Sequence, residues 1–233
     1  MKLLAFETSA KAVSAALLSD GKLLAEYFQN SGQTHSRTLT KMAEDLLRNC
    51  DLTVRDIDAV AVVAGPGSFT GVRIGVAAAK GFAWGRELPC YGVSTLEAMV
   101  LGAAMTDGFY CACMDARKQQ VYNALFEIDN GCLKRLCEDR AIGLDELGEE
   151  LKTVEKQIFL VGDGAELCYN TLRDSIPGLW LLPEHLRQQR ASGAALAALE
   201  MMKRGEGGSG LELTPNYIRA SQAEQQRAWK QSE

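Results

Sequence analysis

The chain predicts an α/β protein of two similar β-β-β-α-β-α lobes with mixed sheets, and three observations point there. Strand-length apolar runs alternate with helical periodicities in the same order twice. Each half opens on a strand ending in a carboxylate, Glu7 or Asp115, before a turn with a basic residue, Lys11 or Lys118. A Gly-x-Gly, Gly65–Gly67 or Gly162–Gly164, follows the fourth strand of each half.

In the first half "KLLAFE" (2–7), "AVSAALLS" (12–19) and "KLLAEYF" (22–28) read as strands, with Asp20-Gly21 suited to the tight turn before the third. Leu39, Met42, Ala43, Leu46 and Leu47 mark one face of a helix from His35 to Cys50, which Thr34 or Ser36 can cap. "DAVAVVA" (58–64) lacks alternation, as a strand covered on both faces does. A helix from about Thr70 to Trp84, the strand "PCYGV" (89–93) and a short helix from Thr95 to about Ala104 complete the half. The second half repeats the order with strands 109–115, 120–128 and 132–139, Asn130-Gly131 in the matching turn, helix 144–154, strand 157–162 and a helix from Ala165 to about Arg173. Identity between the halves is slight, so duplication rests on the recurring order. Residues 1–105 and 106–214 are the expected lobes, with 215–233 returning to the first, and "RGEGGSG" (204–210) reads as a flexible loop.

Among 233 residues, 47% are hydrophobic and 24% charged, enough for a sizeable core. No apolar run reaches the roughly 18 residues that a membrane-crossing helix needs. "MKLLAFETSA" is broken by Glu7 and reads as a first strand, not a signal peptide, so the expected location is the cytoplasm. Cys50, Cys90, Cys111, Cys113, Cys132, Cys137 and Cys168 contain no CxxC pair and read as reduced thiols. A net charge of -5 argues against steering toward nucleic acid, and the basic residues of "IRASQAEQQRAWKQSE" read as a solvated or returning helix.

Two such lobes face to face, with acidic first turns and paired Gly-x-Gly loops, describe the actin-like ATPase (ASKHA, ribonuclease H-like) fold. Its ancestral chemistry holds a nucleotide between the lobes, and Glu7, Gly65, Gly67, Asp115, Gly162 and Gly164 are the vestigial candidates here. "GPGSFTG" matches neither phosphate motif: Thr70 stands where a P-loop needs glycine, and Gly71 arrives one residue late for GxGxxG. Pro66 also withdraws a backbone donor. Ser68 has no identifiable base, and Cys111 and Cys113 lack a paired histidine, His35 and His185 being the only ones in the chain. The following helix carries a small-residue ridge, Gly71, Gly75 and Ala79, and is apolar nearly all round apart from Thr70, Arg73, Lys80 and Trp84. Such a helix needs cover on both sides. Its own sheet supplies one, and the helix at 35–50, a second subunit or both supply the other.

"FETSAKAVSAALL", "THSRTL", "GPGSFTGVRIGVAAAKG", "GVSTLEAM", "DARKQQVYNALF" and "PNYIR" together resemble the TsaB (YeaZ) family, in order from residue 3 to residue 219. That family partners TsaD in making threonylcarbamoyladenosine (t6A) on tRNA. The resemblance implies a non-catalytic subunit without metal or cofactor. Where TsaD carries a His-x-x-x-His pair after its fifth strand, Ser94, Thr95 and Glu97 stand here. It also implies that the two first-lobe helices bundle with those of TsaD, or of a second copy in its absence. TsaE would join through the complex, and tRNA would be touched at most indirectly. Leu39, Met42, Phe69, Val72 and Val76 are the expected apolar contacts, with Arg73 and Lys80 at the rim, so Val76→Arg is expected to abolish pairing. The alternative is an independent actin-like ATPase or small-molecule kinase using Glu7, Asp115 and both Gly-x-Gly turns.

Overall fold

The computed structural model describes residues 1–104, 106–208 and 210–219. The first half forms β1 (Lys2–Glu7), β2 (Val13–Ser19), β3 (Lys22–Gln29), α1 (His35–Asn49), β4 (Ala59–Gly65), α2 (Phe69–Trp84), β5 (Cys90–Ser94) and α3 (Thr95–Ala103). Its five-stranded sheet has the order β3-β2-β1-β4-β5. Tight turns make β1–β2–β3 antiparallel, whereas α1 and α2 cross over and leave β4 and β5 parallel to β1. Asp20 and Gly21 take positive φ, 49° and 77°, as the short hairpin requires. Every residue of β4 is buried, which accounts for its unbroken apolar run.

The second half forms β6 (Gly108–Asp115), β7 (Gln120–Asp129), β8 (Cys132–Arg135), β9 (Arg140–Gly143), α4 (Leu144–Leu151), β10 (Ile158–Val161), α5 (Ala165–Leu172), β11 (Leu179–Leu181), α6 (Glu184–Arg187) and α7 (Ala191–Lys203). Its sheet runs β11-β10-β6-β7-β8, with β9 also on β7. The single strand expected at 132–139 is therefore two. The ladder breaks where Arg135 turns to pair with Asp139 at 2.6 Å and with Glu97 of α3 at 2.9 Å.

The halves exchange their last helices. Leu96, Met99, Val100 and Ala103 of α3 pack on Tyr110, Ala112 and Phe126 of the second sheet. Ala191, Ala194, Ala195 and Ala198 of α7 pack on Leu3, Ala5, Ala16 and Val63 of the first. The sequence division near residue 106 thus runs across the packing, with α7 counted in the second lobe but lying on the first sheet. Glu26 of β3 and Ser14 of β2 fix the start of α7. Ser192 N–H donates to Glu26 Oε1 at 2.9 Å, and Ala191 N–H to Ser14 Oγ at 3.2 Å. The helices touch at glycines: a Cβ on Gly193 would collide with the carbonyl of Ala98.

After α7 the chain returns along the first lobe. Leu213 enters its core, Asn216 N–H donates to Ala64 O at 2.6 Å, and Tyr217 stacks on Phe69. The remainder of the segment expected to return, 220–233, lies outside the described residues.

Candidate functional site

The acidic ends of the first strands lie between the lobes. Glu7 is fully buried at the end of β1; its Oε1 accepts from Ser9 N–H at 2.5 Å and its Oε2 has no hydrogen-bond partner among the described residues. Burial, and then the charge of Asp163, push its carboxyl up to about 7. Asp163 sits at the centre of the Gly162–Gly164 turn and is exposed as a residue, but desolvation of its carboxyl raises it, opposed by a 2.8 Å hydrogen bond from Gln189 Nε2. Asp115 adds repulsion to Asp163, is likewise exposed, and accepts from Arg117 N–H at 2.7 Å. Asp163 was not among the candidates read from sequence. Its position between two candidate glycines was the available signal.

An actin-like fold implies a nucleotide, whose phosphates need backbone N–H groups aimed into the cleft. Here three of those groups are committed elsewhere. Ser68 N–H donates to Ser9 O at 2.6 Å. Gly162 N–H donates to Arg187 O at 2.8 Å and Gly164 N–H to Cys113 O at 3.0 Å. The glycines admit the chain's own backbone: a Cβ on Gly65 would strike the carbonyl of Asn216, and one on Gly67 would lie 2.6 Å from Ser9 O. With Glu7 and Asp163 facing the same space, these residues do not fit a nucleotide's phosphates.

The start of α3 is likewise engaged. Ser94 caps it, accepting from Glu97 N–H at 3.3 Å, and donates to Asp139 Oδ2 at 2.7 Å. Glu97 closes on Arg135, whose guanidinium lies 4.7 Å over the Phe126 ring. Thr95 is buried. Among the described residues no group of three or more His, Cys, Asp or Glu side chains could hold a metal ion. The Cys113 thiol is pushed well above its ordinary value by hydrogen bonds with Cys111 and Cys168 and by burial, opposite to a reactive thiolate.

The other candidate surface is α2. Ser68 caps it, accepting from Gly71 N–H at 3.2 Å. Its glycine ridge faces inward: Thr8 Oγ1 donates to Gly71 O at 2.8 Å, and a Cβ on Gly75 would meet Thr8 and, at 3.1 Å, Val62. Leu39, Val72 and Val76, expected as partner contacts, are 1%, 1% and 5% exposed and belong to the chain's own core. They support α1 and α2 from beneath, so Val76→Arg would test folding and not docking. Met42, Phe69 and Lys80 are half-buried, and Arg73 is exposed.

Outward, α2 presents Thr70, Arg73, Ala77, Gly81 and Trp84. A Cβ on Gly81 meets nothing within 4 Å, so Ala77 and Gly81 make a second small-residue ridge, open to solvent. At one end of it Trp84 and Leu211 are 72% and 70% exposed, beside a cavity of about 750 Å³ that Leu88, Pro89 and Gly210 also line. At the other end Phe69 and Tyr217 stack, with ring centroids 4.1 Å apart. Sequence reasoning found the polar members of this stripe and missed Ala77 and Gly81 as outward positions.

Two lobes with exchanged helices, acidic strand ends and a glycine turn after the fourth strand make this an actin-like ATPase fold. A family model described as "TsaD: tRNA N6-adenosine threonylcarbamoyltransferase" matches residues 22–207. The tRNA threonylcarbamoyladenosine biosynthesis protein TsaB of Bacillus subtilis is 32% identical over 224 residues, covering 96% of each chain. The TsaB protein of Escherichia coli is 33% identical over 222 residues, 94% of this chain and 95% of that one. The chain belongs to the TsaB family. YeaZ from Pseudomonas aeruginosa superposes with a TM-score of 0.77 at 27% identity, covering 93% of this chain and 99% of its own. Component A of the Acidaminococcus fermentans (R)-2-hydroxyglutaryl-CoA dehydratase, at a TM-score of 0.52 and 13% identity, shares the fold alone.

Proposed function

We propose that this protein is a non-catalytic subunit of the tRNA t6A-forming assembly, acting in the cytoplasm by docking TsaD. The outward faces of α1 and α2 pack against the corresponding helices of TsaD, and TsaE joins the complex so formed. The observation that carries the proposal is the solvent-facing Ala77–Gly81 ridge, set between an exposed tryptophan and an aromatic pair on a helix otherwise sunk into its lobe. Small residues let a second helix approach closely, and the flanking rings supply contact area at low entropic cost. A specific interface of standard size buries about 800 Å² per partner. A second copy competes for this face, because one surface is not covered twice. The three committed amides at the glycine turns support a role without nucleotide chemistry, and the acidic balance supports tRNA contact that is at most indirect.

Ala77→Arg tests the docking. The side chain enters solvent in the lone chain, so folding is retained, while in the complex it buries a charge. Sedimentation is expected to show a monomer that no longer joins TsaD; masses equal to those of the parent, both alone and with TsaD, would overturn the proposal. Calorimetry with ATP and magnesium on the lone chain is expected to show no binding. Micromolar affinity would favour the independent ATPase or kinase.

A further inference from the structure

Arg73 is held differently from the arginines of this chain that pair with carboxylates. Arg135, Arg140 and Arg190 each close on a carboxylate. Arg73 is held just as firmly, but by aromatic rings. Its guanidinium carbon lies 4.0 Å from the Phe69 ring centroid and 5.5 Å from that of Tyr217, and its Nε donates to the Tyr217 hydroxyl at 2.7 Å. Phe69 and Tyr217 stack with 18° between their planes. Among the described residues neither Nη of Arg73 has a hydrogen-bond partner. The Tyr217 hydroxyl accepts from Arg73 and so keeps its own proton to donate.

The third member of this cluster comes from a distant part of the chain. Tyr217 reaches α2 because Leu213 is buried in the first core and Asn216 donates to Ala64 O. Arg219 then reaches the second lobe, donating to Ala116 O at 3.3 Å and to Gln120. Segment 213–219 therefore holds Tyr217 in place independently of any partner. The outcome is a planar guanidinium whose rotamer entropy is spent on folding, with its fork unused on a surface already assigned to docking. A carboxylate is the group that a guanidinium fork and a phenol proton together satisfy. The overall charge of -5 makes an unpaired, immobilised cation on this face a local exception.

We propose that Phe69, Arg73 and Tyr217 form a preorganised receptor for a carboxylate, an Asp or Glu side chain presented by the partner that docks on α2, and that it sets the register of docking beside the Ala77–Gly81 ridge. The inference rests on the docking proposed above and adds to it the chemistry of the partner's contact.

The test uses the full chain and purified TsaD from the same genome, with affinity measured at low and high salt. Arg73→Ala is expected to weaken binding about tenfold at low salt and less at high salt, as loss of a charge-assisted pair does. Arg73→Lys keeps the charge without the fork and is expected to recover little of this. Tyr217→Phe keeps the stack, loses the hydroxyl, and is expected to cost about threefold. Thermal melts of each variant confirm folding. If Arg73→Ala binds within about twofold of the parent at both salt concentrations while Ala77→Arg abolishes binding, the receptor is refuted and the docking face stands. If Ala77→Arg binds as the parent does, the docking face itself is refuted and the receptor falls with it.

Discussion

Replacing Glu7 by glutamine changes one atom at the junction of the lobes and isolates the cost of a buried charge. The carboxyl is raised from its ordinary 4.5 to about 7, chiefly because burial disfavours the ionised form. Below pH 4.5 it is protonated whether the chain is folded or not, and adds nothing to the pH dependence of folding. From there to about 7 the unfolded chain releases a proton that the folded chain keeps, so stability falls as pH rises. Above 7 both forms are ionised and the whole penalty is present. At about 1.4 kcal/mol for each pH unit between the two values, that penalty is about 3 kcal/mol, undiminished by solvent screening because Glu7 is fully buried. Glutamine stays neutral throughout and still accepts from Ser9 N–H. Its repulsion with Asp163 disappears as well, which acts in the same direction. Urea unfolding of both proteins from about pH 4.5 to about pH 8 should show the glutamine variant gaining about 3 kcal/mol on the parent across the interval. Taking the difference cancels most other titrating groups. A difference that stays level or shrinks would falsify the claim that Glu7 is an uncompensated buried acid.

Three further substitutions test the packing of α3, α7 and α2. Arg135→Ala leaves Glu97 and Asp139, only 15% and 10% exposed, facing each other without their cation. Urea unfolding at neutral pH should show a loss of about 2 kcal/mol, below the value for a fully buried pair because Arg135 is itself 24% exposed. Gly193→Ala and Gly81→Ala form a matched pair, measured by thermal melts. At Gly193 the methyl meets Ala98 O where α3 and α7 touch and should cost about 1–3 kcal/mol; at Gly81 it meets open space and should gain up to about 1 kcal/mol from helix propensity.

Most of the fold was legible because its strands announce themselves. β4 is an unbroken apolar run and buried throughout; β1 to β3 are punctuated by Asp20-Gly21. What escaped was α7, although Ala191, Ala194, Ala195 and Ala198 have the spacing of one helical face. Alanine marks the face weakly, since its small side chain buries little area and occurs as readily on the surface. The exchange of α3 and α7 was beyond reach for another reason. An amphipathic pattern says that a face is covered and not which sheet covers it, and only the closure of Gly193 on Ala98 and of Glu26 on Ser192 selects the partner.

The same limit explains the candidate site. α2 carries two small-residue ridges of one spacing, Gly71–Gly75–Ala79 and Ala77–Gly81, and period alone makes them equal. The first is claimed by Thr8, whose backbone and hydroxyl both press on Gly71 and Gly75, at the turn that also commits Ser9 O to Ser68 N–H. The turn after β1 thus holds α2 down through Thr8 and Ser9. Once it holds the glycine ridge, helical geometry turns Ala77 and Gly81 the other way, with Arg73 and Trp84 on either side. The engagement of this turn with α2 and the outward exposure of Ala77 and Gly81 thus go together. If α2 docks as proposed above, Thr8→Ala, which frees the turn, would loosen α2 and weaken the affinity for TsaD; an affinity equal to the parent's would contradict this.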